Sequence, residues 1–174
     1  NALNIAMSYA QLGRKTVLVN FDLRKHASYF DKQEDLSLGL STYLINKVDL
    51  KDIILKSVDN KLDYINSGPV PPNPAELLAL DETKKLIMTL KENYDYVIID
   101  TPPLAQVTDG FLLMETADLK AIVVRYNFSK KKVLSMVLKD LKHKKIDDIC
   151  IVLNDNRVKS DQYGYGYGYN KKNK

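Results

Sequence analysis

A chain of 174 residues with 45% hydrophobic content can bury the core of one globular domain. Its 26 basic and 22 acidic residues leave a net charge of +4, part of it in Lys171, Lys172 and Lys174, so the balance does not argue for a nucleic-acid-binding surface. The single cysteine, Cys150, excludes an internal disulfide and fits a reducing cytoplasm, and no apolar run has the form of a signal peptide or transmembrane helix, so a soluble chain is expected.

Residues 1–12 carry a helical pattern, with Leu3, Ile5, Ala6, Tyr9, Ala10 and Leu12 on the apolar face and Gly13 as a natural stop. No capping residue precedes this helix, which predicts that the chain starts inside an element. Residues 15–22, KTVLVNFD, read as a buried strand that ends in Asp22, with Arg24 and Lys25 just beyond. Short helices are predicted over 40–46 and 49–56, the second capped by Asp49. Residues 62–66 form another strand, which runs into Gly68 and the prolines Pro69, Pro71, Pro72 and Pro74. Pro74 and Glu76 then open a long amphipathic helix whose buried positions are Leu77, Leu78, Leu86, Ile87 and Leu90.

The stretch YDYVIIDTPP, residues 94–103, organises the chain. Val97, Ile98 and Ile99 form a β-branched run of the kind buried on both faces of a sheet, and Pro102 and Pro103 forbid its continuation as an ordinary ladder. An apolar strand that delivers one carboxylate, Asp100, to its C-terminal end is how α/β sheets present a hard oxygen ligand at the ligand crevice. The plainer alternative is that Asp100 only caps the next helix. A short helix follows near 109–116, then a strand over 119–125 and a helix capped by Ser129 that buries Val133, Leu134, Val137, Leu138 and Leu141. The last strand covers 148–154 and takes Cys150 as a small core residue. His26 and His143 have no neighbouring ligand set. The alternation predicts an α/β fold, a mostly parallel sheet flanked by helices on both faces, in one domain over residues 1–158.

Residues 159–174 differ from the rest. Tyr163, Tyr165, Tyr167 and Tyr169 alternate with Gly164, Gly166 and Gly168, a segment too rich in glycine for an ordinary strand and expected to be a mobile tail that presents phenols to solvent. The plain alternative is a low-complexity end with no chemistry.

Taken together, VLVNFDLRK, PPNPAELL, YDYVIIDTPP and the tyrosine-rich end resemble the bacterial tyrosine kinases of capsule and exopolysaccharide synthesis, P-loop proteins related to the MinD/ParA ATPases. The resemblance covers essentially the whole chain. It implies a P-loop NTPase-like sheet and ATP with Mg²⁺ as cofactors. Asp100 corresponds to the Walker B carboxylate that holds the metal through water, and Asp22 to the residue that positions metal and incoming phenol. Asn154 resembles the adenine-side position, although a plain strand-end turn is an equal reading of it. Tyr163, Tyr165, Tyr167 and Tyr169 are the implied phosphate acceptors, reached in trans within a homo-oligomer. The implied partner is a membrane polysaccharide co-polymerase, fused upstream or separate, which places the domain at the cytoplasmic face of the inner or plasma membrane.

Three features depart from that pattern. The sequence contains no glycine-rich loop ending in Gly-Lys-Ser/Thr, which in the family lies just before a helix like residues 1–12 and is expected ahead of Asn1; residues 1–174 alone are therefore expected to be inactive. Asn20 stands where the family commonly has aspartate and cannot be a general base, and His26 replaces a common proline. The alternatives are a MinD/ParA-like ATPase without tyrosine transfer, or a catalytically impaired nucleotide-binding interaction module.

Overall fold

The computed structural model describes residues 1–25, 28–30, 37–59, 61–104 and 109–156. The tail residues 159–174, the expected domain boundary at 158 and His26 lie outside the described residues. In chain order the elements are α1 (Ala2–Gln11), β1 (Thr16–Asn20), α2 (Leu40–Leu44), α3 (Leu50–Ile53), β2 (Leu55–Lys56), β3 (Leu62–Ile65), α4 (Pro74–Leu78), α5 (Asp81–Asn93), β4 (Tyr96–Asp100), α6 (Asp109–Met114), β5 (Lys120–Arg125), α7 (Lys131–His143) and β6 (Ile149–Asn154).

All five residues of β1 are buried, as an uninterrupted apolar strand requires when both faces of its sheet are covered. β1 is flanked by two parallel partners, β3 and β4, and the short β2 adds an antiparallel edge beside β3, giving the order β2-β3-β1-β4. Side chains alternate between faces along each strand. Val17, Val19, Ile65, Val97 and Ile99 pack under Leu40, Leu44, Leu77, Leu86, Ile87 and Leu90 of α2, α4 and α5. Leu18, Leu62, Tyr64 and Ile98 pack on the other face against Ala6 and Ala10 of α1. The α/β architecture with helices on both faces is thus as the sequence indicates.

β5 and β6 form a second parallel pair, covered by Val137 and Leu141 of α7. Among the described residues β4 is paired on one side only, with β1, β5 is paired on one side only, with β6, and no ladder joins β4 to β5. Residues 97–100 of β4 are accordingly only half-buried, and Val123 of β5 is 45% exposed.

Three local expectations are corrected. The helix expected to run on from Pro74 is two helices, broken at Leu80, which occupies the N-cap position of α5. The buried Thr83 hydroxyl donates to Leu77 O at 3.0 Å across the break, and Asp81 and Glu82 place negative charge in the first turn of α5, where the helix dipole favours it. The expected helix over 49–56 ends at Ile53, because Leu55 and Lys56 pair with Tyr64 and Asp63 and Lys56 Nζ meets Asp63 Oδ1 at 2.8 Å. Ser129 does not cap α7; its hydroxyl accepts from the Arg125 N–H at 3.0 Å, and Lys130 takes the N-cap position.

One close approach fixes the loop that leads from β3 into the proline segment. The N–H groups of Leu40 and Ser41 donate to Asn66 O and Ser67 O at 2.9 and 3.0 Å, which draws Gly39 against Gly68. A Cβ on Gly39 would overlap the Gly68 nitrogen and lie 2.6 Å from its Cα and 2.7 Å from Asn66 O. Gly39→Ala is expected to destabilise the fold by about 1–3 kcal/mol, the usual cost of overpacking where only backbone can yield. Urea denaturation measures this; a loss under about 0.5 kcal/mol would show that the two loops part freely.

Candidate functional site

Parallel pairing brings the C-terminal ends of β1, β3 and β4 to one edge of the larger sheet, the edge where α/β proteins take ligands. Asn20 is in register with Asp100, and the Phe21 N–H donates to Asp100 O at 2.8 Å, carrying the ladder one residue beyond β1. Asp22 therefore leaves the sheet beside Asp100, and both are half-buried.

Each carboxylate is held differently. The Asp22 N–H donates to Asn20 Oδ1 at 3.0 Å, so the buried Asn20 amide serves the turn that orients Asp22. An asparagine does this as well as an aspartate would, since only a carbonyl-type oxygen is needed. Asp22 also accepts from the Arg24 N–H at 3.3 Å and lies 3.6 Å from Lys25 Nζ, an exposed cation at a distance where ion pairs contribute little. Asp100 accepts a 3.1 Å hydrogen bond from the Tyr29 hydroxyl. Burial raises the pKa of Asp100 above its ordinary value; the Tyr29 bond opposes that shift without cancelling it. The Tyr29 hydroxyl is itself raised, first by burial, then by the charge and hydrogen bond of Asp100, and last by the charge of Asp22. One phenol is thus held by Asp100, within the field of Asp22.

Tyr29 is the member of this group that the sequence did not mark. It is one of 11 tyrosines, and its bond to Asp100 spans 71 positions, so no local pattern could reveal it. Asn154 lies elsewhere, at the end of β6 in the second sheet, where its carbonyl accepts the Tyr126 N–H at 2.9 Å. The four tail tyrosines, Tyr163, Tyr165, Tyr167 and Tyr169, fall outside the described residues. A cavity of about 710 Å³ among Leu78, Thr83, Phe111, Met114, Lys144 and Ile146 includes none of these groups. Among the described residues no cluster of three or more His, Cys, Asp or Glu side chains could hold a metal unaided. Two carboxylates suit Mg²⁺ better than they suit a metal needing an all-protein cage, because Mg²⁺ usually keeps several waters and substrate phosphates as ligands.

Residues 1–151 match the family model described as an AAA domain. The chain is 34% identical to the tyrosine-protein kinase YwqD of Bacillus subtilis over 94% of its own length and 70% of that protein's. It is 32% identical to the tyrosine-protein kinase CpsD of Streptococcus pneumoniae, over 94% of this chain and 72% of that one. The chain belongs to the bacterial tyrosine kinases.

The kinase domain of the Escherichia coli tyrosine kinase ETK superposes with a TM-score of 0.83 at 31% identity, over 95% of this chain and 66% of that one. MinD of Aquifex aeolicus, at 18% identity and a TM-score of 0.61, shares the fold. The chain spans only 21% of the putative tyrosine-protein kinase in the cps region of Klebsiella pneumoniae. Against this background the pair Asp22 and Asp100 is a carboxylate edge in a kinase-type fold, at the sheet edge where α/β proteins take ligands.

The raised pKa of Asp100 has a consequence for stability. Between its ordinary value of 3.8 and its raised value in the fold, the folded state binds more protons than the unfolded one, so stability falls as pH rises through that window. Asp100→Asn is therefore expected to raise the thermal midpoint at pH 7, and the gain should vanish as pH falls to the ordinary carboxylate range. A midpoint at pH 7 equal to or below that of the unsubstituted chain would show that the buried charge carries no net cost.

Proposed function

We propose that this chain is the larger part of the catalytic domain of an ATP-dependent protein-tyrosine autokinase, with Tyr163, Tyr165, Tyr167 and Tyr169 as acceptors reached from a neighbouring subunit. The observation that carries the reading is the seating of a phenolic hydroxyl, that of Tyr29, against Asp100 and within the field of Asp22. An edge that accepts one phenol on Asp100, in the field of Asp22, has the polarity to orient another. Asp22 orients the incoming phenol and Asp100 holds the metal through water. Mg²⁺, when bound, supplies the charge neutralisation that phosphoryl transfer needs. Lys25, close to Asp22, adds positive charge at the same edge.

The unpaired edges of β4 and β5 support a further part of this reading. A parallel strand laid between them would join the two sheets, and a loop at its C-terminal end would meet the start of α1. A phosphate loop contributed from ahead of Asn1 would thus lie over the two carboxylates, and residues 1–174 alone would lack the cradle for β- and γ-phosphates. The tail's alternation of tyrosine and glycine places several phenols in one short segment. Each phosphate adds roughly −1.5 to −2 charges at neutral pH, so a modified tail is repelled from the acidic edge and from itself. Phosphorylation would then loosen a homo-oligomer held by tails in trans. The Klebsiella relative named for a cps region supports placing this cycle beside a membrane polysaccharide co-polymerase, at the cytoplasmic face of the membrane. No described helix is long and apolar enough to cross that membrane itself.

The test mixes two full-length proteins, one carrying Asp22→Asn and Asp100→Asn, the other intact at these positions but without its tail. Phosphate on the tail of the first is expected, located by mass spectrometry. Phosphate confined to body tyrosines would remove the tail from the reaction. The doubly substituted protein alone should be at least about 100-fold slower.

A further inference from the structure

The mild net charge of the chain conceals a strongly basic helix on a domain that is acidic elsewhere. Residues 130–145, which are α7 and its flanks, contain seven lysines and a single acid, Asp140, for a charge of +6. Residues 1–129 and 146–156 together contain 14 basic and 20 acidic residues, for a charge of −6. All seven lysines are exposed, and among the described residues none is ion-paired to a carboxylate. Lys144 turns back toward the domain, its Nζ 5.4 Å from the centroid of the Phe111 ring.

The two sides of α7 differ sharply. Leu134, Val137, Leu138 and Leu141 pack with Ile122 and Ile149 of the β5–β6 pair. Steps of four, three and four residues set Lys132, Met136, Lys139 and His143 in one line on the outer side, with Lys131 and Lys142 beside it. All six are exposed, and Met136 is 57% exposed in the middle of the line. Over its 13 residues the helix is about 20 Å long.

We infer that the outer face of α7 is a docking surface for an anionic phospholipid leaflet, with lysine ammonium groups on the lipid phosphates and Met136 at the level of the headgroups. An exposed lysine is ordinary. A field this one-sided is not, because a negative surface attracts the helix and repels the rest of the domain, so one face alone can approach. Lipid suits the face better than nucleic acid does. None of its cations is an arginine, so the planar fork that grips phosphates and base edges is missing. An apolar side chain also stands at its centre, where a duplex would present charge. A leaflet accepts both features: lysine stems lie along it, and the thioether meets the headgroup boundary. Since the apolar face of α7 is already packed on the sheet, the helix lies on the leaflet without entering it, and the attachment is electrostatic and reversible. Neither nucleotide nor tail takes part, so the inference stands apart from the kinase reading.

The experiment takes the full-length protein with two kinds of vesicle, phosphatidylcholine alone and phosphatidylcholine with an equal part of phosphatidylglycerol. Co-sedimentation gives affinity, and acetylation followed by mass spectrometry gives the reactivity of each lysine. The anionic vesicles alone are expected to protect Lys132, Lys139 and Lys142. That protection should fade as salt shortens the screening length from about 10 Å at 0.1 M to about 3 Å at 1 M. Each lysine against such a leaflet contributes roughly fivefold in affinity, so Lys132→Gln, Lys139→Gln and Lys142→Gln together should weaken the anionic-vesicle binding about 100-fold. The same charge removed elsewhere, by Lys47→Gln, Lys61→Gln and Lys84→Gln, should leave it nearly unchanged. All six lysines are exposed, so both variants should keep the thermal midpoint of the parent. Equal losses in the two variants would trace the attraction to net charge and overturn the face. Absence of protection by anionic vesicles would overturn it too. Short duplex DNA that protects the same lysines as strongly as the vesicles do would assign the face to nucleic acid instead.

Discussion

The ladder between β1 and β4 is the constraint on which the site depends. Five consecutive pairings, from Thr16 with Tyr96 to Asn20 with Asp100, set these strands in parallel, and the Phe21 N–H extends the register past the end of β1. A slip of one residue would turn every side chain to the opposite face and send Val17 and Val19 toward α1. It would also separate Asp22 from Asp100. The two clusters of apolar side chains on opposite faces, one under α2, α4 and α5 and one under α1, make such a slip very costly. The core therefore does more than stabilise; it fixes how two carboxylates face one another.

At that edge, burial and hydrogen bonding oppose each other. A hydrogen bond to a charged group contributes about 1.5–3 kcal/mol, and Tyr29 provides one to Asp100. Burial still prevails, since the Asp100 pKa is raised on balance. The carboxylate is thus held in a state that gains from a positive neighbour, and the phenol that occupies its lone pair gives less than a cation would. Asn20 illustrates the opposite economy: a buried amide with a purely conformational task, bracing Asp22 through one bond.

Much of this was legible in the residues. Strands with apolar residues on both faces announced a covered parallel sheet, and two of them ending in aspartate announced the edge with Asp22 and Asp100. What could not be read depends on contacts between distant segments. The apolar pattern runs unbroken through Leu80, with no glycine or proline to mark the break; Thr83 reaching back to Leu77 sets it. Leu55 and Lys56 make a strand only because β3 is there to pair with them. Ser129 has the right chemistry for a cap, but its hydroxyl turned back to Arg125. Tyr29 and Asp100 lie 71 positions apart, and nothing in the local sequence marks this tyrosine among those that precede the tail.

The edges of β4 and β5 that carry no ladder among the described residues also bear on how such a domain behaves as a material. Backbone donors and acceptors along a bare strand edge form a template that any extended peptide can complete, and soluble proteins usually blunt such edges with charge, proline or a covering loop. Here the flanks carry Lys120 and Arg125 on β5, but β4 offers Val97, Ile98 and Ile99 with no charge between them. Two copies of the chain could satisfy one another strand to strand along these edges.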